Sequence, residues 1–119
     1  MQSTLLKSKL HKATVTAASV DYEGSLTIAE DLARAVGLRR FEKILVGNMA
    51  NGARFETYVI LGAEGSGAIE LNGATAHLGK IGDRLTIMSF AICTEDEAAT
   101  HTPQVALLDN SNRIIRKTP

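Results

Sequence analysis

At 119 residues the chain has room for one domain around one core, and 45% hydrophobic with 22% charged residues excludes a disordered chain. Thirteen Lys and Arg balance thirteen Asp and Glu, so nothing in the overall charge draws the protein to nucleic acid or to an anionic membrane. The single cysteine, Cys93, excludes an intramolecular disulfide and reads as a buried inert thiol. Without an apolar N-terminal segment or a run approaching the ~20 residues of a membrane span, the chain reads as cytoplasmic.

In chain order, Leu5 to Leu10 and Ala13 to Ala18 read as short strands, the second β-branched at Thr14-Val15-Thr16. Ser25 to Ile28 is a third. Ala29 to Val36 is the clearest helix, with Ile28, Leu32, Ala35 and Val36 at helical spacing and Gly37 at C′. Its start is ambiguous: Thr27-x-x-Glu30 fits a capping box, whereas Ala29 is a poor cap. Ile44 to Asn48 and Arg54 to Leu61 form a hairpin whose Asn51-Gly52 turn supplies positive-φ residues. Ile69 to Leu71 is a strand, Ala74 to Leu78 a helical turn, and Asp83 to Ile92 a long alternating strand. Thr94 to Ala99 reads as an exposed helix with acids in its first turn, and Gln104 to Leu108 as a late strand. Many short strands with turn signals point to a mainly β, compact barrel of a single domain, residues 1–119.

The chemistry-bearing segment is Tyr22-Glu23-Gly24-Ser25. A Gly-Ser bond is one at which a chain can cut itself: glycine leaves its carbonyl open to close approach, and the serine hydroxyl attacks it. The resulting ester can hydrolyse, or it can eliminate to dehydroalanine, which hydrolyses to a pyruvoyl group and ammonia. On these residues alone the pair reads as a turn or strand edge. A second pair, Gly65-Ser66, stands in a flexible Gly-Ser-Gly run and reads as a loop.

Two further segments shift the balance: Asn51-Gly52-Ala53-Arg54-Phe55-Glu56-Thr57-Tyr58 and Asn72-Gly73-Ala74-Thr75-Ala76-His77. With Lys9-Leu10-His11 and the Tyr22 to Ser25 segment, they resemble the pyruvoyl-dependent aspartate 1-decarboxylase family from about Leu5 to Pro103. The family usually has alanine at position 75, where Thr75 adds a hydroxyl and a methyl that narrow the pocket. The tail after Asp109 carries none of the resemblance.

The resemblance implies a double-psi β-barrel with short helices. It implies self-cleavage between Gly24 and Ser25 into chains 1–24 and 25–119, with Ser25 becoming the covalent pyruvoyl cofactor; neither a metal nor pyridoxal phosphate is implied. The pyruvoyl ketone would condense with the amine of L-aspartate as a Schiff base, giving β-alanine and CO2 for pantothenate and coenzyme A synthesis. It makes Tyr58 the proton donor to the substrate carbanion and sets Lys9 beside Arg54 at the substrate carboxylate. Thr57 is set at the cleavage site, where its hydroxyl would stabilise the oxyoxazolidine of the acyl shift, and Gly73, Ala74 and Thr75 are set around the substrate. A homotetramer is implied, with or without a maturation helper protein.

Some of this has a basis in the residues. Arg54 can bind a carboxylate bidentately, though alone it reads as a surface arginine on a hairpin. Lys9 and His11 share a strand face, as do Arg54 and Tyr58. Thr57 faces away from Tyr58, so both reach one site only at a barrel bend or a subunit boundary. Asn72 can donate to a carbonyl or cap the following turn, and small residues there expose successive N–H groups. His77 reads as structural, His11 as packing or hydrogen bonding, and His11, His77 and His101 lack metal-ligand spacing. Tyr22 and Glu23 shape a strained loop. Two other readings stay open on the residues: a self-cleaving hydrolase that keeps Ser25 as an N-terminal nucleophile, and a non-enzymatic barrel acting as an interaction module.

Overall fold

A computed structural model describes every residue from Met1 to Pro119. It is mainly β, with nine strands joined in the order β2-β6-β3-β5-β4-β7-β1-β8-β9. The strands are β1 (Gln2–Thr14), β2 (Ala17–Ser19), β3 (Ser25–Ala29), β4 (Lys43–Asn48) and β5 (Arg54–Gly62), then β6 (Ile69–Asn72), β7 (Arg84–Thr94), β8 (Gln104–Leu108) and β9 (Ile114–Thr118). Two short helices, α1 (Glu30–Ala35) and α2 (Glu95–Thr100), and a 3₁₀ turn at Gly73–His77 complete it. Parallel pairs (β1 with β8, β2 with β6, β3 with β5) mix with antiparallel ones, in keeping with the double-psi β-barrel expected.

Where the two sequence-predicted N-terminal strands were expected, one long strand, β1, runs to Thr14, followed by the short β2. β-bulges between Leu6 and Ser8 and between His11 and Ala13 let β1 stay paired to β7 along its whole length. Helix α1 starts at an N-cap alanine, Ala29, with no side-chain cap bond, so the Thr27-Glu30 capping box does not form. Gly37 follows the helix at φ 74° as a C′ residue should. In the β4–β5 turn only Gly52 takes positive φ; Asn51 instead accepts the Ala53 N–H through its side chain. Helix α2 has the expected acidic first turn, fixed by a full capping box between Thr94 and Glu97.

The core is one cluster in which Leu10, Leu26, Ile28, Val46, Val59, Leu71, Leu85 and Ile87 are buried. Strand β3 is covered on both faces along its length, between β5 and β6. Cys93 is buried and free. The tail is held: Asn112, at φ 58°, accepts from Thr14 N–H and donates to the carbonyls of Thr14 and Gly67, and β9 pairs with β8. No helix is long and apolar enough to cross a membrane.

One buried carboxylate locks the lower end of the barrel. Asp83 Oδ2 accepts from Asn48 Nδ2 at 2.9 Å and from the Lys80 N–H at 3.0 Å, and Asn48 Nδ2 also donates to the Leu78 carbonyl. These bonds, the Asn48 amide first, hold the Asp83 carboxyl below its ordinary range against the opposing effect of burial. Its contribution is therefore complete above the usual carboxylate range and is lost as pH falls through the depressed value. Asp83→Ala is expected to cost about 1–3 kcal/mol at neutral pH, read by denaturant unfolding. Below that depressed value the wild-type and variant curves are expected to converge.

Candidate active site

Ser25 opens β3 and is fully buried, whereas Asp21 to Gly24 just before it are exposed. The Gly24–Ser25 bond thus sits where the chain passes from surface to core. A buried hydroxyl needs partners. Ser25 Oγ donates to the Glu23 carbonyl at 3.1 Å and accepts from Asn72 Nδ2 at 3.0 Å. The bond to Glu23 turns the side chain back toward the residues that precede it. Asn72 spends its second amide proton on Thr27 Oγ1 at 2.8 Å, a partner sequence reasoning missed although Thr27 lies two residues along the same strand face.

Asn72 reaches Ser25 because β6 and β3 are antiparallel neighbours with these two residues directly opposed. The turn after Asn72 fits against the cleavage segment. Gly73 has φ 67°, and a Cβ there would lie 2.7 Å from Gly24 Cα, Gly24 N and the Tyr22 carbonyl oxygen. Thr75 is buried, and its hydroxyl donates to the Asn72 carbonyl at 2.8 Å while lying 3.4 Å from the Ser25 carbonyl oxygen. Ala74 and His77 are exposed, so the packing role expected of His77 does not hold. No positive φ or cis peptide occurs between Tyr22 and Ser25, so the loop strain expected of Tyr22 and Glu23 is absent from these dihedrals.

Tyr58 stands on the other side of Ser25. The parallel β3–β5 ladder pairs Leu26 with Val59, and one step back sets Ser25 beside Tyr58, on the same side as Asn72. Thr57, one residue before Tyr58, has its side chain on the opposite face of β5. Phe41, at φ 71°, packs its ring 6.4 Å from that of Tyr58, and Arg40 lies 4.6 Å above the Phe41 ring. No spacing in the sequence signals this stack, because the contact joins a loop to a strand.

Arg54 and Lys9 form a second cluster. They line a cleft of about 460 Å³ with Asn48, Met49, Thr86 and Met88, and neither Ser25 nor Asn72 lines it. Arg54 lies over Gly47, with one guanidinium nitrogen 3.7 Å from where a Cβ would stand. Lys9 and His11 share a face, as expected, and line a neighbouring pocket together. Burial, and then the charges of Lys9, Lys12 and Arg84, hold His11 below its ordinary value, so its ring favours the neutral form. Gly65-Ser66 lies in an exposed turn in which Ser66 bonds back to Ala63.

The sequence family described as aspartate decarboxylase matches residues 1–115. An aspartate 1-decarboxylase of Desulfotalea psychrophila is 54% identical over 96% of this chain and 96% of its own length. Those of Bordetella parapertussis and Ruminiclostridium cellulolyticum are 51% and 49% identical, over 100% and 99% of this chain and 99% and 92% of their own.

The fit of Gly73 against Gly24 makes a specific demand. Gly73→Ala adds a methyl group where backbone already lies and a left-handed residue costing roughly 1–2 kcal/mol. It is expected to lower the thermal midpoint by about 5 °C or more and to displace Tyr22 to Gly24. Mass spectrometry is then expected to find less chain cut between Gly24 and Ser25, whereas Ala74→Gly, at an exposed position of the same turn, leaves the cut chain at the wild-type level.

Proposed function

The chain belongs to the aspartate decarboxylase family, and from that premise we propose that it decarboxylates L-aspartate to β-alanine and CO2 through a pyruvoyl group made from its own Ser25. The observation that carries this reading is the buried Ser25 hydroxyl, bonded back to the Glu23 carbonyl and held by the Asn72 amide. The cut between Gly24 and Ser25 divides the domain into residues 1–24 and 25–119.

Cleavage needs a hydroxyl close to its target carbonyl, with the freedom of both already removed. Burial of Ser25, its bond to Glu23 and the seat that Gly73 makes for Gly24 meet that need. Exposure of Gly24 lets water reach the ester side of the cut. The donor set suits the product as well, because the Asn72 amide already points at the residue 25 side chain and serves an oxygen there. A pyruvoyl group supplies an electrophile for the substrate amine and a sink for the electrons released with CO2.

The chain's own residues supply the rest. Tyr58, one step along the β3–β5 register from the Leu26–Val59 pair, returns a proton to the substrate carbon. Arg54 and Lys9 hold a substrate carboxylate by paired, charge-assisted hydrogen bonds. Thr57 serves the cleavage step, its hydroxyl stabilising the oxyoxazolidine of the acyl shift. Gly73, Ala74 and Thr75 bound the substrate space, and the Thr75 hydroxyl turns back onto Asn72, which leaves its methyl to narrow that space.

Distance argues for more than one copy. Arg54 and Tyr58 are four residues apart on β5, about 13 Å of strand, longer than an arginine side chain. One chain therefore does not close Arg54 over its own Ser25. A second copy that presents its Lys9–Arg54 cleft to this Ser25 does, and a homotetramer with sites at subunit boundaries meets that geometry.

Ser25→Ala is expected to leave a single uncut chain with no β-alanine formed, read by intact mass and product assay. In the wild type the 25–119 fragment is expected to be lighter by one ammonia than a fragment with N-terminal serine. The serine mass would instead mark a hydrolase nucleophile. Arg54→Ala is expected to cut normally yet raise the aspartate KM by about 10- to 100-fold, the loss of a charge-assisted bidentate contact. An unchanged KM would remove Arg54 from the site.

A further inference from the structure

The C-terminal strand carries a basic residue that the proposed site has not used. β9 pairs with β8 so that Arg116 stands opposite Leu107, and β8 pairs with β1 so that Leu107 stands beside His11. The row continues the other way through Thr86 on β7 and Gly47 on β4 to Arg54 on β5. Residues paired across strands share a face. Arg54 and Arg116 are therefore the two ends of one row, with His11 between them and Lys9 two residues from His11 on the same face.

The space around this row is basic. Arg116, His11, Lys9 and Thr118 line a pocket of about 270 Å³ together with Val105 and Leu107, and no carboxylate lines it. Lys9 is the wall common to this pocket and the Arg54 cleft. None of Lys9, Arg54 and Arg116 has an ion-pair partner, and Glu56, the carboxylate on the same face of β5, is taken by Lys43 at 3.0 Å. Burial first, and then the charges of Lys9, Lys12 and Arg84, lower His11, so positive charge gathers on this side of a chain of zero net charge. Such a field, set in a concave surface and left unneutralised, concentrates small anions.

We infer that Arg116 is a further substrate-binding residue, which extends the Lys9–Arg54 carboxylate site across β1, β8 and β9 into one trough for dicarboxylates. The inference rests on the proposed function for its substrate, but the trough itself is a property of the fold. A four-carbon dicarboxylate is too short to span the five strand spacings of about 4.8 Å from Arg54 to Arg116, so Arg116 and His11 add to the field that draws its charges toward the Lys9–Arg54 end. Arg116 is exposed on an edge strand, so its head group acts through long-range attraction more than through a fixed contact.

The test uses the full-length purified protein. Arg116→Ala is expected to raise the aspartate KM about three- to tenfold in low salt, with the loss carried by KM rather than kcat. The gap is expected to close in roughly 0.5 M salt, where screening is complete within a few ångströms. Arg116→Lys, which keeps the charge, is expected to restore KM, and Arg116→Glu to exceed the alanine effect. A KM that is unmoved, or that rises equally at both salt concentrations, or that lysine fails to restore, would overturn the inference. Succinate, a dicarboxylate with no amine, separates this from the proposed function. Calorimetric binding of succinate that weakens in Arg116→Ala supports the trough even if no β-alanine is formed. Equal succinate binding by wild type and Arg116→Ala overturns it even in an active decarboxylase.

Discussion

The structure turns on the burial of one hydroxyl at the first residue of a strand covered on both faces. β3 is walled by β5 on one side and β6 on the other, and its five residues are all buried. A serine in that position has to find its partners within the protein, because an unpaired buried hydroxyl costs on the order of 1–3 kcal/mol. The register supplies them: antiparallel pairing sets Asn72 opposite Ser25, and the only carbonyl near enough behind it is Glu23's. The hydrogen bonds that make Ser25 tolerable in the core also fix where its oxygen stands. On the proposed function, the same contacts serve both the stability of the precursor and its cleavage.

Glycine at position 73 follows from that arrangement. Once Asn72 is fixed, the chain must leave β6 directly beneath Tyr22 to Gly24, where no side chain fits. The cleavage segment is held from below by backbone and from above by solvent. Its dihedrals carry no left-handed strain, so the geometry prepares the reaction by proximity and orientation more than by distortion.

Much of this was legible in the sequence, for physical reasons. The hairpin strands β4 and β5, the helix at Glu30–Ala35, the helix at Glu95–Thr100 and β8 all carry local signals: alternation, a C′ glycine, acids in a first turn. What failed was non-local. The break expected near Ala13 is absent because β-bulges let β1 stay on β7, and bulges leave no mark in composition. Asn51 looked like a positive-φ residue, but its side chain caps the turn instead. The Ser25–Asn72 pair was legible as two motifs, yet their hydrogen bond depends on strand register. Arg116 lay in a tail whose residues matched no motif, and only the β8–β9 pairing sets it in line with His11 and Arg54.

Strand β5 explains why the two halves of the site are separable. Its start carries Arg54 beside Lys9, and its middle carries Tyr58 beside Ser25, on one face because their spacing of four is even. The cleavage half is made of burial and register and needs nothing from the basic trough. The trough is made of unpaired surface cations and owes nothing to the cut. On the proposed function, a single chain matures its Ser25 region as it folds, while substrate recognition waits for a meeting with the trough of a second copy. The neutral overall charge supports that meeting, since copies with no net charge do not repel one another, and the concentrated local charge is left for the substrate. Under the proposed assembly, the meeting of copies is what joins an electrophile at residue 25 to a carboxylate site.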